Sequence, residues 1–179
     1  RLPRGSAVTE LAGFGEGAWW VQDLSASLPA RLLGTGAQRT ALDLCAAPGG
    51  KTLQLAAAGW QVTALDASHS RLARLRENLA RTGLEAEIVE GDARAFDPGR
   101  LYDAVLLDAP CSATGIFRRH PDVLHRAHDR AVAALAAQQA DMLACAADHV
   151  APGGRLVYAV CSLEPAEGEA IADAFCADR

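Results

Sequence analysis

Thr40-Ala-Leu-Asp-Leu-Cys45-Ala-Ala-Pro-Gly-Gly50-Lys-Thr52 passes from an apolar run into a glycine turn and then into a stretch of helical character. Strand, glycine loop and helix in that order form the opening unit of a doubly wound α/β sheet. The unit recurs along the chain. Gln61-Val-Thr-Ala-Leu-Asp66, Ala86-Glu-Ile-Val-Glu-Gly-Asp92, Tyr102-Asp-Ala-Val-Leu-Leu-Asp108 and Gly154-Arg-Leu-Val-Tyr-Ala-Val-Cys161 read as further strands. The last two are mostly continuous apolar runs, as suits strands covered on both faces of a parallel sheet. Between the strands, helices are expected from Gly50 to Ala58, from Ser68 to Arg81 with Gly83 as the stop, and from about Ala127 to Val150. The last keeps Val132, Leu135, Ala136, Leu143, Ala146 and Val150 on one stripe, and Pro152-Gly153-Gly154 is expected to end it. A final helix is expected from about Pro165 to Phe175. The fold class is therefore α/β, a doubly wound and mostly parallel sheet.

Composition agrees with a single compact domain. The chain has 179 residues, 50% hydrophobic and 22% charged, and at this length roughly 70% of the unfolded surface can be buried without metals or disulfides. The longest uncharged stretch, Thr52 to Leu65, contains Gln54 and Gln61 and falls well short of the ~20 apolar residues that cross a bilayer. The first residues, Arg1-Leu2-Pro3-Arg4-Gly5, lack the apolar core of a secretion signal. A cytoplasmic protein is expected, with no membrane and no metal among its partners and a monomer as the favoured state. Five cysteines, Cys45, Cys111, Cys145, Cys161 and Cys176, form no CxxC pair, which fits reduced thiols rather than a zinc site or disulfide framework. The net charge of −5 is opposite to the basic footprint of a free-standing nucleic-acid binder, so a polyanion would have to meet a local patch. Residues 1–36, including Trp19-Trp20, read as an N-terminal extension packed on a catalytic domain of residues 37–179; the paired tryptophans are expected to pack rather than stack on a base.

Ligands of such sheets bind beyond the carboxyl ends of the strands. Asp43, Asp66, Asp92, Asp108 and Cys161 all stand at or near those ends and are expected to converge on one rim. The turn from Cys45 to Thr52 offers small residues and a helix N-terminus to a ligand. Its Gly-Lys-Thr tail resembles a P-loop, with Val105 to Asp108 as the accompanying acidic strand, but a phosphate cradle needs glycine where Cys45 stands. The G-x-G-x-x-G dinucleotide pattern is absent as well. Asp66 lies 16 residues beyond Gly50, near the spacing at which a carboxylate accepts ribose hydroxyls, and Asp92 could accept from an adenine amino group. An adenosine ligand with a positive sulfonium and no phosphates suits this acidic rim; that ligand is S-adenosylmethionine. Taken singly, each acid could equally be a turn or cap residue.

Two thiols are expected at the same crevice, Cys111 in Asp108-Ala-Pro-Cys-Ser-Ala-Thr-Gly115 and Cys161 before Ser162. Cytosine C5 is too weak a nucleophile to take a methyl group directly, and thiolate addition at C6 creates the enamine-like carbon that can. Asp108 is placed to hydrogen-bond N3 during that addition, and the second thiol could assist elimination. Cys45, Cys145 and Cys176 read as buried small residues. The Pro110-Cys111 pair resembles the catalytic Pro-Cys of DNA cytosine methyltransferases, so chemistry alone leaves the two roles open. Arg118-Arg119-His120 could contact phosphates or be a solvated turn.

The strings LDLCAAPGGKT, DAPCSATG, RRHPD and VCSLEPAEGE, in this order, resemble the RNA cytosine-C5 methyltransferases of the Sun (Fmu) type, from Glu16-Gly-Ala-Trp-Trp-Val-Gln-Asp23 through Phe175. The resemblance implies a Rossmann-like methyltransferase fold and an RNA substrate, 16S ribosomal RNA for the bacterial members of the nearest type. It implies cofactor contacts by Cys45, Ala46, Ala47, Pro48, Gly49, Gly50, Lys51, Asp66, Asp92 and Asp108. It also implies attack by Cys161 and release of the methylated RNA by Cys111, although Val160 stands where the family usually has threonine. Relatives carry an N-terminal helical RNA-binding domain, which nothing here resembles, and a closing strand pair after the last helix; a catalytic domain lacking that pair is expected. Two other readings stay open: a P-loop-like NTPase, and a catalytically silent cofactor- or RNA-binding scaffold.

Overall fold

The computed structural model describes residues 7–178, so the first six residues of the expected N-terminal extension and the last residue of the expected catalytic domain lie outside the described residues. Five strands form one sheet among them: β1 (Thr40–Leu44), β2 (Gln61–Asp66), β3 (Glu87–Glu90), β4 (Tyr102–Asp108) and β5 (Val150–Ala159). Their spatial order is β3-β2-β1-β4-β5, and every neighbouring pair is parallel. The order reverses between β1 and β4, which places a crevice beyond their carboxyl ends. Six α-helices accompany the strands among the described residues: α1 (Leu24–Leu32), α2 (Gly50–Ala57), α3 (His69–Thr82), α4 (Val123–Arg126), α5 (Asp129–Asp148) and α6 (Glu169–Ala177).

Alternation along the central strands divides the core in two. On one face Leu42, Leu44, Leu65, Val105 and Leu107 meet Met142, Leu143 and Ala146 of α5, with Ile171 and Phe175 of α6 at the margin. On the other, Ala41, Val62, Ala104 and Leu106 meet Leu55 of α2 and Ala30 of α1. Ala64 meets Leu72, Leu75 and Leu79, the inward stripe of α3. That helix is fixed at both ends, by Ser68, whose hydroxyl accepts from the Arg71 N–H at 3.4 Å, and by Gly83 at φ +65°. The segment ahead of β1 contributes α1 to this layer, where it packs on α2 and β5. No helix among the described residues is long and apolar enough to cross a membrane.

Several expected boundaries move. The α5 helix ends at Asp148, and its buried residues are Gln139, Met142, Leu143 and Ala146, so Val150 belongs to the next strand and Val132, Leu135 and Ala136 are only half-buried. Pro152-Gly153-Gly154 does not separate helix from strand. It is a bulge inside β5: Val150 pairs with Tyr102, Arg155 pairs with Ala104, and Gly153 takes φ +76° between them. β1 stops at Leu44 because Cys45 turns to φ +61°, β3 shortens to Glu87–Glu90, and β5 ends two residues before Cys161. The last helix begins at Glu169 instead of near Pro165.

Candidate active site

A crevice of about 530 Å³ opens at the carboxyl ends of the strands. Cys45, Asp66, Asp92, Asp108, Cys111 and Cys161 all line it, with Leu65, Ala93 and Met142 as apolar wall. Asp43 does not, contrary to the expected convergence of every strand-end acid. It has no exposed surface and its Oδ2 accepts a 2.6 Å bond from the Thr52 hydroxyl of α2. Burial, first, then the nearby carboxylates push Asp43 up to about 7 against the opposing Thr52 bond.

The loop after β1 is moulded between strand and helix. Ala46 and Ala47 are buried, and the Ala47–Pro48 peptide is cis. Gly49 lies at φ +107°, and a Cβ there would stand 2.3 Å from Leu75 Cδ1, so the loop can seat on α3 only with glycine. Pro48 turns outward and its carbonyl accepts from Asn78 at 3.2 Å. Gly50 starts α2 and Lys51 reaches across to Asp108, Nζ to Oδ2 2.6 Å. Asp66, 3% exposed, accepts from the Ala47 N–H at 3.0 Å and the Ser68 N–H at 2.9 Å, tying the loop to the end of β2. The Arg71 guanidinium lies 3.6 Å from it and also donates to the Ala47 carbonyl. Asp92 is half-exposed and bound by Arg94 at 2.6 Å; the side-chain and backbone hydrogen bonds from Arg94 hold its carboxyl at about 2.

The two crevice thiols touch, Cys111 Sγ to Cys161 Sγ 3.4 Å. The hydrogen bond from Cys111, with a smaller contribution from Lys51, draws Cys161 down to about 7 against burial and the Asp108 charge. The same contact, then burial, holds Cys111 far above the usual thiol range. The contact thus favours ionisation of Cys161 over that of Cys111. Cys45 is a different kind of thiol: burial, then Asp66, Asp108 and Asp43, push it up to about 12. Cys45 and Cys145 are half-buried and Cys176 is exposed, so none of the three is the buried residue expected.

A layer beneath the thiols was not marked by sequence reasoning. Ser112 and Ser162, each following a cysteine, both donate through their hydroxyls to Glu167, which has no exposed surface. The nearest signal is the repeated Cys-Ser pair. Gly115 donates its N–H to the Cys161 carbonyl at 2.9 Å, joining the two loops again. Arg118, Arg119 and His120 are exposed and lie outside the crevice lining, with Arg119 3.6 Å from Asp23. Trp19 Nε1 donates to the Ala12 carbonyl and its ring lies 5.2 Å from Phe14, while Trp20 packs against the α3 side of the core. Both tryptophans therefore pack against the protein. Among the described residues no cluster of His, Cys, Asp or Glu is arranged to hold a metal ion.

A parallel sheet in this order, with its acids and thiols gathered at the reversal point, defines the class as a Rossmann-like methyltransferase fold. The chain belongs to the family described as 16S rRNA methyltransferase RsmB/F, whose model matches residues 30–179. It is 45% identical to ribosomal RNA small subunit methyltransferase B of Klebsiella pneumoniae (strain 342), covering 99% of this chain and 42% of that protein. It is 46% identical to the protein of the same name from Sodalis glossinidius (strain morsitans), covering 100% of this chain and 42% of that one. The crystal structure of NSun6 from Pyrococcus horikoshii with SFG has a TM-score of 0.88 at 31% identity, covering 97% of this chain and 46% of that chain. The chain thus spans less than half the length of each of these relatives. The family membership implied by the sequence motifs is borne out, and neither the P-loop NTPase nor the silent scaffold is favoured.

Proposed function

We propose that the chain is the catalytic part of a cytoplasmic enzyme that moves a methyl group from S-adenosylmethionine to C5 of a cytosine in RNA, with 16S ribosomal RNA as substrate. The crevice fits the cofactor: an apolar wall for adenine, Asp66 and Asp92 for its hydrogen-bonding groups, and carboxylates for a positive sulfonium, with the two lining arginines, Arg71 and Arg94, already paired with Asp66 and Asp92. When bound, the cofactor supplies an electrophilic methyl group. Residues 37–179 are the catalytic domain in this reading, and residues 1–36 are its N-terminal extension, whose described part, residues 7–36, packs on it. The loop from Cys45 to Lys51 shapes the cofactor site from behind, Cys45 alone of the loop lining the crevice, with Asp66, Asp92 and Asp108 around the ligand.

The contact between Cys161 and Cys111 carries the mechanism. Cys161 is the member of the pair whose thiol is drawn down, and its sulfur forms the bond to C6 while electrons move onto the pyrimidine N3 side, where N3 takes up a proton passed from the Lys51 ammonium through Asp108, 2.6 Å from it. That addition makes C5 nucleophilic. After methylation the C5 proton passes to water, the N3 proton returns to the Asp108–Lys51 pair, and the sulfur–C6 bond breaks with its electron pair leaving on Cys161, which restores the aromatic ring and the thiolate. Cys111, within 3.4 Å of the departing sulfur, assists this elimination. The cytosine must leave any base stack to reach the thiol.

With RNA and cofactor supplied to the enzyme, Cys161→Ala abolishes methylation and forms no adduct, whereas Cys111→Ala accumulates a covalent protein–RNA adduct visible on denaturing gels. An adduct from Cys161→Ala and none from Cys111→Ala reverses the two roles.

A further inference from the structure

Both cysteine loops converge on a buried acid that the reaction itself does not use. Glu167 Oε1 accepts from the Ser112 N–H at 2.8 Å and from Gln139 Nε2 at 3.2 Å; Oε2 accepts from the Ser112 hydroxyl at 2.5 Å and the Ser162 hydroxyl at 2.6 Å. Gln139 also donates to the carbonyl of Pro110 at 2.8 Å, and the Tyr158 hydroxyl lies 3.1 Å from Gln139 Oε1. Burial alone would raise the Glu167 carboxyl, but the bonds from Ser112, Ser162 and Gln139 outweigh it and hold it below the usual carboxylate range. A buried carboxylate taking four hydrogen bonds from two loops and a helix fixes the distance between those loops, because losing any donor leaves a desolvated charge short of a partner.

We propose that Glu167 is a positioning residue for the thiol pair: by binding the serine after each cysteine it holds Cys111 within hydrogen-bond reach of Cys161. The proposal rests on the assignment of Cys161 as nucleophile, and it deepens that assignment by naming what keeps its donor in place. Nothing in it needs Glu167 to touch RNA or cofactor; the residue does not line the crevice. The ionisable groups facing Cys161 are Cys111 and Asp108 from the β4 end and Lys51 from α2, and all three stay intact in the variants below.

Charge and clamp have opposite effects on the thiol, which separates them. Removing a nearby negative charge favours a thiolate, whereas releasing the Cys111 hydrogen bond disfavours it. The measurement is the pH dependence of iodoacetamide alkylation at Cys161, located by peptide mass spectrometry in the whole chain, with S-adenosylmethionine affinity followed by calorimetry. Glu167→Ala moves the Cys161 profile upward from about 7. Alkylation at pH 7 then slows by about fivefold for the first whole pH step the profile climbs and by nearly tenfold for each further step, while cofactor affinity stays within about twofold, since a positioning residue outside the crevice makes no contact to it. Glu167→Gln, which keeps the shape and one carbonyl acceptor, leaves the profile unmoved or slightly lower. An Ala profile that overlays the parent, or one that moves down with the Gln profile, overturns the proposal. Should the Ala variant fail to fold, Ser112→Ala/Ser162→Ala decides in its place: an upward shift supports the clamp and an overlay refutes it. None of these readings needs RNA, so an enzyme that shifts as expected but forms no adduct with RNA refutes the proposed reaction and leaves the clamp standing.

Discussion

Asp43 sits at the end of β1 without exposed surface, its Oδ2 bound to Thr52 and its Oδ1 without a hydrogen-bond partner among the described residues. A carboxylate so enclosed resists ionisation, which is why its titration moves up to about 7. In the unfolded chain the same group titrates near 4. Its contribution to stability is therefore complete below about pH 4 and is lost as pH rises through about 7, where the folded protein must carry the charge in its core. Asp43→Asn removes that titration. Thermal melts across pH 4 to 8.5 are expected to show the Asn variant gaining on the parent between about pH 4 and 7 and holding a constant lead above that, of up to a few kcal/mol. Melting curves that stay parallel across this range would mean that Asp43 is neutralised by some other route. Sequence placed Asp43 with the rim acids because it shares their position at a strand end. The structure turns it inward because its strand is central and α2 crosses directly over it, a three-dimensional fact with no counterpart in residue spacing.

Among the elements, those with a single apolar signal were legible to the residue: β2 and β4 run as read, since their runs end on an acid at the sheet edge and both neighbours are present to pair them. β5 was half-legible. Its Pro-Gly-Gly is a turn signal in any chain, and only pairing with β4 shows the chain resuming the same strand on the far side of the bulge. The cysteine loops were legible as motifs but their mutual attachment was not, because Ser112, Gly115, Ser162 and Glu167 look like ordinary loop residues until β4 and β5 bring them together. Gly115 tests this attachment directly. Its N–H bonds the Cys161 carbonyl at 2.9 Å, and a Cβ on it would stand 2.6 Å from that same oxygen. Gly115→Ala is thus expected to displace the Cys161 loop, lowering kcat for methyl transfer by about tenfold to a hundredfold with KM for the cofactor little changed. A variant with unaltered kcat would show that the loop yields without cost to the chemistry.

At the scale of the molecule, acidic balance and architecture divide the two ligands. A net charge of −5 gives a polyanion no long-range attraction, and the exposed Arg118 and Arg119 are only a small patch, so RNA affinity of these residues should be weak, with the shallow salt dependence of a few phosphate contacts. The cofactor crevice, by contrast, is assembled within one sheet from the carboxyl ends of β1 to β5 and the loops that follow them, with Asp66 tying the end of β2 to the loop after β1 and Lys51 tying α2 to the end of β4. It should be formed in this chain as it stands. S-adenosylmethionine at a hundredfold excess over its Kd would then stabilise the fold by about 2.7 kcal/mol, raising Tm by roughly 5–10 °C for a domain of this size. Magnesium ATP, whose phosphates would find no glycine cradle and only arginines already paired with Asp66 and Asp92, is expected to leave Tm unchanged, as is a short RNA at 0.15 M salt. A rise with magnesium ATP and none with S-adenosylmethionine would reassign the crevice to a nucleotide triphosphate; a rise with RNA alone would place the binding energy on a surface outside it.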